Sequence, residues 1–285
     1  MKWAIPKWLR WGVILLLGVL VAYVIYNQFD EDLAPATSAW LAYQSQPIAD
    51  SDNAYLALFS LESEVPERLV VVASTVTRVR EIASSPSLVK EQAYQQALVG
   101  LKNKERNFSS LDDICTKGQP CLASLKGQQA RLASLRGEHA ELLTRYTAML
   151  AMPAFNDLMA KDISAPVPRF APAMKMGLLY LSVLPTQLEA QQYRAALMQW
   201  VNYQQFWLRA AQGSNSLINL MVANSQLRRG NLLLLEILDA YPDSKLAARE
   251  ISLPVLQASQ HLRSSLKQSI VSEFQMVATL MTSLK

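Results

Sequence analysis

Cys121–Met149, with the sequence CLASLKGQQARLASLRGEHAELLTRYTAM, decides the fold class of this chain. Residues of a buried type recur in it at intervals of mostly three or four: Cys121, Leu125, Leu132, Leu135, His139, Leu142, Tyr146 and Met149. That spacing is typical of one face of an amphipathic helix, with the charged residues on the other faces. Gln128 interrupts the spacing, and Gly127 and Gly137 lower the helix stability locally without removing the pattern. The run therefore predicts one helix of roughly 30 residues that ends before Pro153.

Helical patterns continue on both sides of this run, and they predict an all-α fold. Upstream, we expect a first helix at Asn53–Leu61, capped by Asp50–Asp52. A second should follow Pro66, with the apolar face Leu69, Val72, Val76, Val79 and Ala83, and a third should run through Tyr94–Leu101. Downstream, we expect Ala173–Leu184, Gln187–Ala211, Ser214–Arg228, Asn231–Tyr241 and a last helix from Pro254, punctuated by Pro185, Gly213, Gly230 and Pro242. The loops are short and no strict repeat appears, so the helices should form an irregular bundle or solenoid-like stack.

Two further patterns organise this helical part. The stretch 163–172, ISAPVPRFAP, predicts an extended connector between a first helical region, 53–162, and a second, 173–285. In the last helix we expect a buried stripe formed by Leu262, Leu266, Ile270, Phe274, Val277 and Met281.

The apolar run Trp11–Tyr26 predicts a transmembrane helix over residues 11–27. Lys2, Lys7 and Arg10 lie in the preceding segment, 1–10, and three acidic residues, Asp30–Asp32, begin the linker 28–52. That linker contains a predicted short helix at 37–44. By the positive-inside rule, residues 1–10 are cytoplasmic and the rest is exported, which indicates a single-pass protein of the bacterial inner membrane with a periplasmic domain.

Two alternatives to this anchor remain open. A cleavable signal peptide would use the triplet Ala34–Ala36, which lies well beyond the apolar run and contains Pro35. A helix buried in a soluble domain is the other interpretation, although core helices are rarely so free of polar residues.

Charge argues against nucleic acid as a partner. The formal net charge is +4, and removing the three basic residues of the first ten leaves +1 for the remainder. No run of Lys and Arg follows, so the basic surface that nucleic-acid binding requires is not indicated.

Cys115 and Cys121, six positions apart, predict a disulfide in an oxidising compartment. Two free thiols are the alternative. A metal site is disfavoured because the histidines, His139 and His261, are remote from the cysteines in sequence and no second ligand pair accompanies them.

No catalytic constellation is visible, so we expect a protein that is not an enzyme and that carries neither cofactor nor metal. The chain has no nucleophile elbow and no glycine-rich phosphate loop. Adjacent Asp112 and Asp113 are better explained as capping or solvated residues than as a catalytic pair. His139 lies on the apolar helix face, where a core histidine is the simpler interpretation.

Binding features are more distinctive than catalytic ones. Large aromatic side chains cluster within two turns at Trp200, Tyr203, Phe206 and Trp207. They indicate either a core helix or a groove for an apolar ligand, lipid or partner helix. Asn215 and Asn219, spaced i and i+4, are candidates for an internal polar network.

Several landmarks together resemble those of a known group of proteins. They are NAYLALFSLES (53–63), C-x5-C-L (115–122), LLTRYTAML (142–150), APVPRFAP (165–172) and FWLRAAQGSNSLINLMVANSQLRRG (206–230). The chain resembles uncharacterised membrane-anchored periplasmic proteins of Gram-negative bacteria, in which similar landmarks occur in the same order. The resemblance covers most of the exported chain and implies an envelope location. It carries no activity, so no functional residue is transferred.

These patterns favour a non-enzymatic role as an adaptor, scaffold or accessory subunit of an envelope assembly. The expected partners are the lipid bilayer and another envelope protein. A carrier or chaperone for a lipid or other apolar ligand is the first alternative, and an envelope hydrolase assembled from residues distant in sequence is the second.

Overall fold

A computed structural model describes residues 19, 48–65, 68–85, 90–104, 106–116, 118–162, 164–258 and 262–283 of the protein. The chain divides into two units, Met1–Gln44 and Ser45–Lys285, and the description covers mainly the second. The predicted cytoplasmic segment 1–10, the anchor 11–27 apart from residue 19, and the short helix at 37–44 lie outside the described residues. Within the described part, no helix combines the length and the apolar character needed to cross a membrane.

The described residues of the second unit are helical and contain no β-strand, so the predicted all-α class is confirmed for them. The helices are α1 Ala54–Phe59, α2 Arg68–Ser84, α3 Glu91–Val99, α4 Cys121–Gly127, α5 Gln129–Glu138, α6 Ala140–Ala151, α7 Phe170–Leu181, α8 Leu184–Glu189, α9 Tyr193–Gln212, α10 Leu217–Ala240, α11 Lys245–Ala258 and α12 Leu262–Ser283. Short 3₁₀ turns lie at Asp50–Asp52, Ser109–Leu111 and Pro242–Ser244.

The long helix predicted for Cys121–Met149 is wrong, because the structure divides it into α4, α5 and α6. The chain leaves helical geometry at Gln128 (φ −119°, ψ 23°) and at His139 (φ −102°, ψ 21°). Gly127 directly precedes the first break and Gly137 lies two residues before the second, and glycine has a low helix propensity. The breaks let the three segments pack on different neighbours: α4 on α8 and α10, α5 on α7, and α6 on α1, α7 and α9.

Helix α9 is the centre of the unit, since it packs against α6, α7, α8, α10, α11 and α12. One apolar core cluster extends from Ala54 to Val255 and includes side chains from both predicted helical regions. The predicted apolar face of α2 is also largely buried: Val72, Val76 and Val79 are at most 5% exposed.

Gly230 does not end a helix, which corrects the prediction of separate helices at Ser214–Arg228 and Asn231–Tyr241. It lies inside α10, where Trp200 Nε1 donates to its carbonyl oxygen at 2.7 Å. A Cβ at this position would overlap the Gln204 amide. Gly230 is therefore a contact residue that lets α9 and α10 approach closely. The predicted Gln187–Ala211 helix is in turn divided into α8 and α9, with Gln191 between them in a left-handed conformation (φ 59°).

The buried stripe predicted for the last helix is also wrong. Leu266, Ile270, Phe274 and Val277 are between 46% and 52% exposed. The side chains of α12 that face the core include Ser269, Val271, Gln275 and Met276, all at most 9% exposed. The side chains of Leu262 and Met281 lie outside the description. In addition, Pro254 lies inside α11 rather than beginning the final helix.

Two predicted boundaries shift. The connector 163–172 ends earlier, because α7 begins at Phe170 and takes Pro172 into its first turn, where proline is tolerated. Helix α1 is capped by Asn53, whose side chain accepts a hydrogen bond from Tyr55 N, rather than by Asp50–Asp52, which form a 3₁₀ turn.

Candidate functional site

Cys115 and Cys121 form the predicted disulfide at the start of α4. Cys115 has a left-handed backbone (φ 52°), and its N–H donates to Ser124 Oγ at 3.2 Å. One residue after Cys121, Leu122 N donates to Glu236 Oε2 of α10 at 2.6 Å. The disulfide therefore constrains the chain where α4 begins and where α10 supplies a carboxylate to the free N–H groups of that helix.

The four predicted aromatic residues of α9 are all core residues. Trp200, Tyr203, Phe206 and Trp207 are at most 1% exposed. Phe206 and Trp207 meet edge to face with centroids 4.9 Å apart, and Phe206 contacts Phe155 in the same way at 6.2 Å. These contacts match the core-helix interpretation. The groove described below is lined by other residues, and a ligand-binding role of the four aromatics stays a prediction.

Polar groups join α9 to α10 within this core. Tyr203 Oη donates to Gln226 Oε1 at 2.9 Å, and burial raises the pKa of the Tyr203 phenol. Gln204 Nε2 donates to Leu227 O at 3.1 Å and to Asn231 Oδ1 at 2.9 Å, while Gln204 Oε1 is buried without a hydrogen-bond partner. Sequence reasoning missed Gln204 because glutamine inside an amphipathic helix carries no signal of burial.

Asn215 and Asn219 meet at a buried carboxylate that the sequence did not indicate. Asp157 Oδ2 accepts from Asn215 N at 3.1 Å, from Ser216 Oγ at 3.0 Å and from Asn219 Nδ2 at 2.5 Å. Asp157 Oδ1 accepts from Met159 N at 2.9 Å. Asp157 is 2% exposed, and burial raises its pKa although these donors oppose the shift.

The Asp157 cluster connects elements that are far apart in sequence. Its neighbour Asn156 exchanges hydrogen bonds with the Asn53 side chain at 2.9 and 3.0 Å, at the start of α1. On the other side, Gln268 Nε2 of α12 donates to Asn215 Oδ1 at 2.5 Å. No periodic pattern marks Asp157, which lies in the loop between α6 and α7, so only the fold reveals its role.

A half-open groove of about 310 Å³ lies between α9, α10 and α11. Its apolar lining comes from Leu208, Leu227, Leu232, Leu235, Val255 and Leu256, and its polar lining from Gln204, Asn224, Arg228 and Asn231. Arg228 is its one charged lining residue and makes no ion pair among the described residues.

Most of the exposed large apolar side chains of the described residues lie on the last three helices. We call them the C-terminal apolar surface: Ile218, Met221, Leu232 and Leu235 of α10, Leu246 and Leu253 of α11, and Leu266, Ile270, Phe274 and Val277 of α12. The α10 members share one helix face, because Ile218 and Met221 recur 14 residues later as Leu232 and Leu235.

Of the two histidines, the structure describes His139. His139 is 5% exposed at the turn between α5 and α6, where its ring lies 5.4 Å from that of Phe108. Among the described residues, no group of three or more His, Cys, Asp or Glu side chains has the arrangement of a metal site. His261 lies outside the description.

A scan against protein-family models finds no match to this chain, and searches of curated proteins and of solved structures find none either. The functional inference therefore depends on the geometry described above.

Proposed function

We propose that the protein is a non-enzymatic, membrane-anchored adaptor of the bacterial envelope, and that its C-terminal apolar surface binds an apolar face of a partner protein. The observation that carries this proposal is the stripe Leu266, Ile270, Phe274 and Val277, which is spaced like a buried helix face and is nevertheless about half exposed. Large exposed apolar patches on soluble domains mark interaction sites.

The magnitude of the available burial fits protein recognition. Fully burying a large apolar side chain contributes about 1.5–3 kcal/mol, so covering the exposed half of these four contributes roughly 3–6 kcal/mol before the costs of association. The α10 and α11 members of the surface add to this gain if the partner reaches them.

Two side chains of α12 form hydrogen bonds with the chain segment that begins α10. Glu273 Oε1 accepts from Leu217 N at 2.9 Å, and Ser269 Oγ donates to Ser214 O at 3.2 Å. Such contacts lower the conformational freedom that α12 would lose when a partner binds. The predicted anchor at 11–27 would place the second unit in the periplasm.

The experiment is affinity purification of the full chain from membranes solubilised in a mild detergent. Ile270→Glu/Phe274→Glu introduces two charges on the α12 stripe. The matched control, Val70→Glu/Val99→Glu, places two charges on exposed valines of α2 and α3, which are 67% and 73% exposed. We expect the α12 variant to lose a co-purifying protein that the wild type and the control retain, while all three chains keep the same circular dichroism.

Equal recovery of that protein by both variants would overturn the proposal. Isolation of the wild type as a lone monomer under several detergent conditions would do so as well.

A further inference from the structure

The groove between α9, α10 and α11 combines three recognition elements. Its walls are mostly leucine and valine side chains. Gln204, 1% exposed, is among its lining residues; its amide nitrogen is bonded to Leu227 O and Asn231 Oδ1, and its amide oxygen is buried without a hydrogen-bond partner. Arg228 lines it with a positive charge that no described acidic residue neutralises.

Each element specifies a part of the occupant. A buried acceptor without a partner is costly and is satisfied by an N–H or O–H donor. An exposed guanidinium favours a carboxylate, which it can bind through two hydrogen bonds. The apolar walls favour an aliphatic or aromatic side chain. The last residue of a polypeptide with an apolar side chain presents a backbone N–H, a free carboxylate and that side chain together.

The dimensions agree with a short peptide. The lining residues of α10 extend from Asn224 to Leu235. This separation corresponds to about 16 Å along a helix axis and therefore to roughly five residues of extended chain.

We propose that this groove binds the apolar C-terminus of a partner polypeptide. Its carboxylate pairs with Arg228, its last N–H donates to Gln204 Oε1, and its last side chain lies against Leu208, Leu227 and Val255. The inference names the chemistry of the partner and rests on the proposed function. An ionised fatty acid matches the apolar walls and Arg228 but offers no donor to Gln204, so the peptide is favoured.

The test uses the full chain in lipid nanodiscs and measures fluorescence anisotropy of fluorescein-labelled six-residue peptides that end in Val, Leu or Phe. Each peptide is compared with its C-terminal amide, which lacks the negative charge. Arg228→Gln removes the cation, and Arg249→Gln is the matched control, because Arg249 is exposed on α11 and does not line the groove.

We expect at least one free-acid peptide to bind about three- to tenfold more tightly than its amide. Arg228→Gln should abolish that preference and Arg249→Gln should keep it. The inference is overturned by the absence of peptide binding, by equal affinities for acid and amide, or by a preference that survives Arg228→Gln. Dodecanoate serves as the fatty-acid probe, and its binding where no peptide binds would also overturn the inference. The Ile270→Glu/Phe274→Glu result is independent of these outcomes, so failure at the groove is distinguishable from failure of the adaptor proposal.

Discussion

Replacing Gly230 by alanine tests whether the contact between α9 and α10 depends on the missing Cβ. In the structure, that Cβ would overlap Gln204 Nε2, lie 2.8 Å from Gln204 Cδ and lie 3.2 Å from a ring carbon of Tyr203. Gly137 provides the control, because it also lies in a helix and a Cβ there meets nothing within 4 Å.

The two substitutions should change the free energy of unfolding in opposite directions. Alanine in place of a helical glycine stabilises by roughly 0.5–1 kcal/mol through helix propensity. At Gly230 the Gln204 amide must also move and lose its bonds to Leu227 O and Asn231 Oδ1, which costs about 1 kcal/mol each, plus about 1 kcal/mol or more of overpacking. We expect Gly137→Ala to stabilise by about 0.5–1 kcal/mol and Gly230→Ala to destabilise by about 2 kcal/mol.

Urea denaturation followed by circular dichroism measures both changes, and a double-mutant cycle tests their cause. In a Gln204→Ala background the two closest contacts are gone and the 3.2 Å contact with Tyr203 remains, so Gly230→Ala should lose most of its cost. If Gly230→Ala is as stable as the wild type, or if its full cost persists after Gln204→Ala, the contact with Gln204 does not determine the stability of this helix pair.

Three further predictions concern other contacts of the domain. Gly213→Ala should destabilise by more than Gly230→Ala, because its Cβ would overlap the backbone carbonyl oxygen of Phe155, which a rotamer change does not relieve; equal unfolding midpoints in urea would contradict this. Burial raises the pKa of Asp157 above that of the unfolded chain, so its stabilising contribution is complete at low pH and is lost as the pH rises through the folded pKa. The unfolding free energy of the wild type should therefore fall relative to that of Asp157→Asn as the pH rises from about 4 to 8, and a relative gain would contradict the sign. Cys115→Ser/Cys121→Ser should lower the free energy of unfolding by about 2 kcal/mol or less, since the loop that the disulfide closes is short. Dithiothreitol should lower the Tm of the wild type to that of the variant, and it should leave the Tm of the variant unchanged.

The sequence predicted what depends on local pattern. Apolar spacing identified the helical class and the buried face of α2, and the proximity of Cys115 and Cys121 predicted their disulfide. Both results depend on residues that are close in sequence, so the periodicity of the apolar residues and the spacing of the cysteines suffice to predict them.

Features that depend on a distant partner were missed. A helical glycine is costly in isolation, so the sequence around Gly230 predicts a break, but in the structure its cost is offset by the approach of Gln204 and Trp200 from α9. Asp157 gave no signal because the donors that surround it, Asn215, Ser216 and Asn219, lie almost 60 residues or more away. Breaks at Gln128 and His139 likewise depend on which helices α4, α5 and α6 pack against.

The error on α12 has a different physical meaning. An apolar stripe predicts that burial of a helix face is favourable, but it does not specify whether the residues that pack on this face belong to the same chain. Residues such as Ser269 and Gln275 occupy the inner face of α12, and Ser269 is bonded there to Ser214 O. Rotating the helix to bury Phe274 and Ile270 would break this bond and the Glu273 contact to Leu217 N. The polar contacts thus fix the rotation of α12 with its apolar face outward, and for this reason we propose that a partner protein, rather than the domain's own core, covers that face.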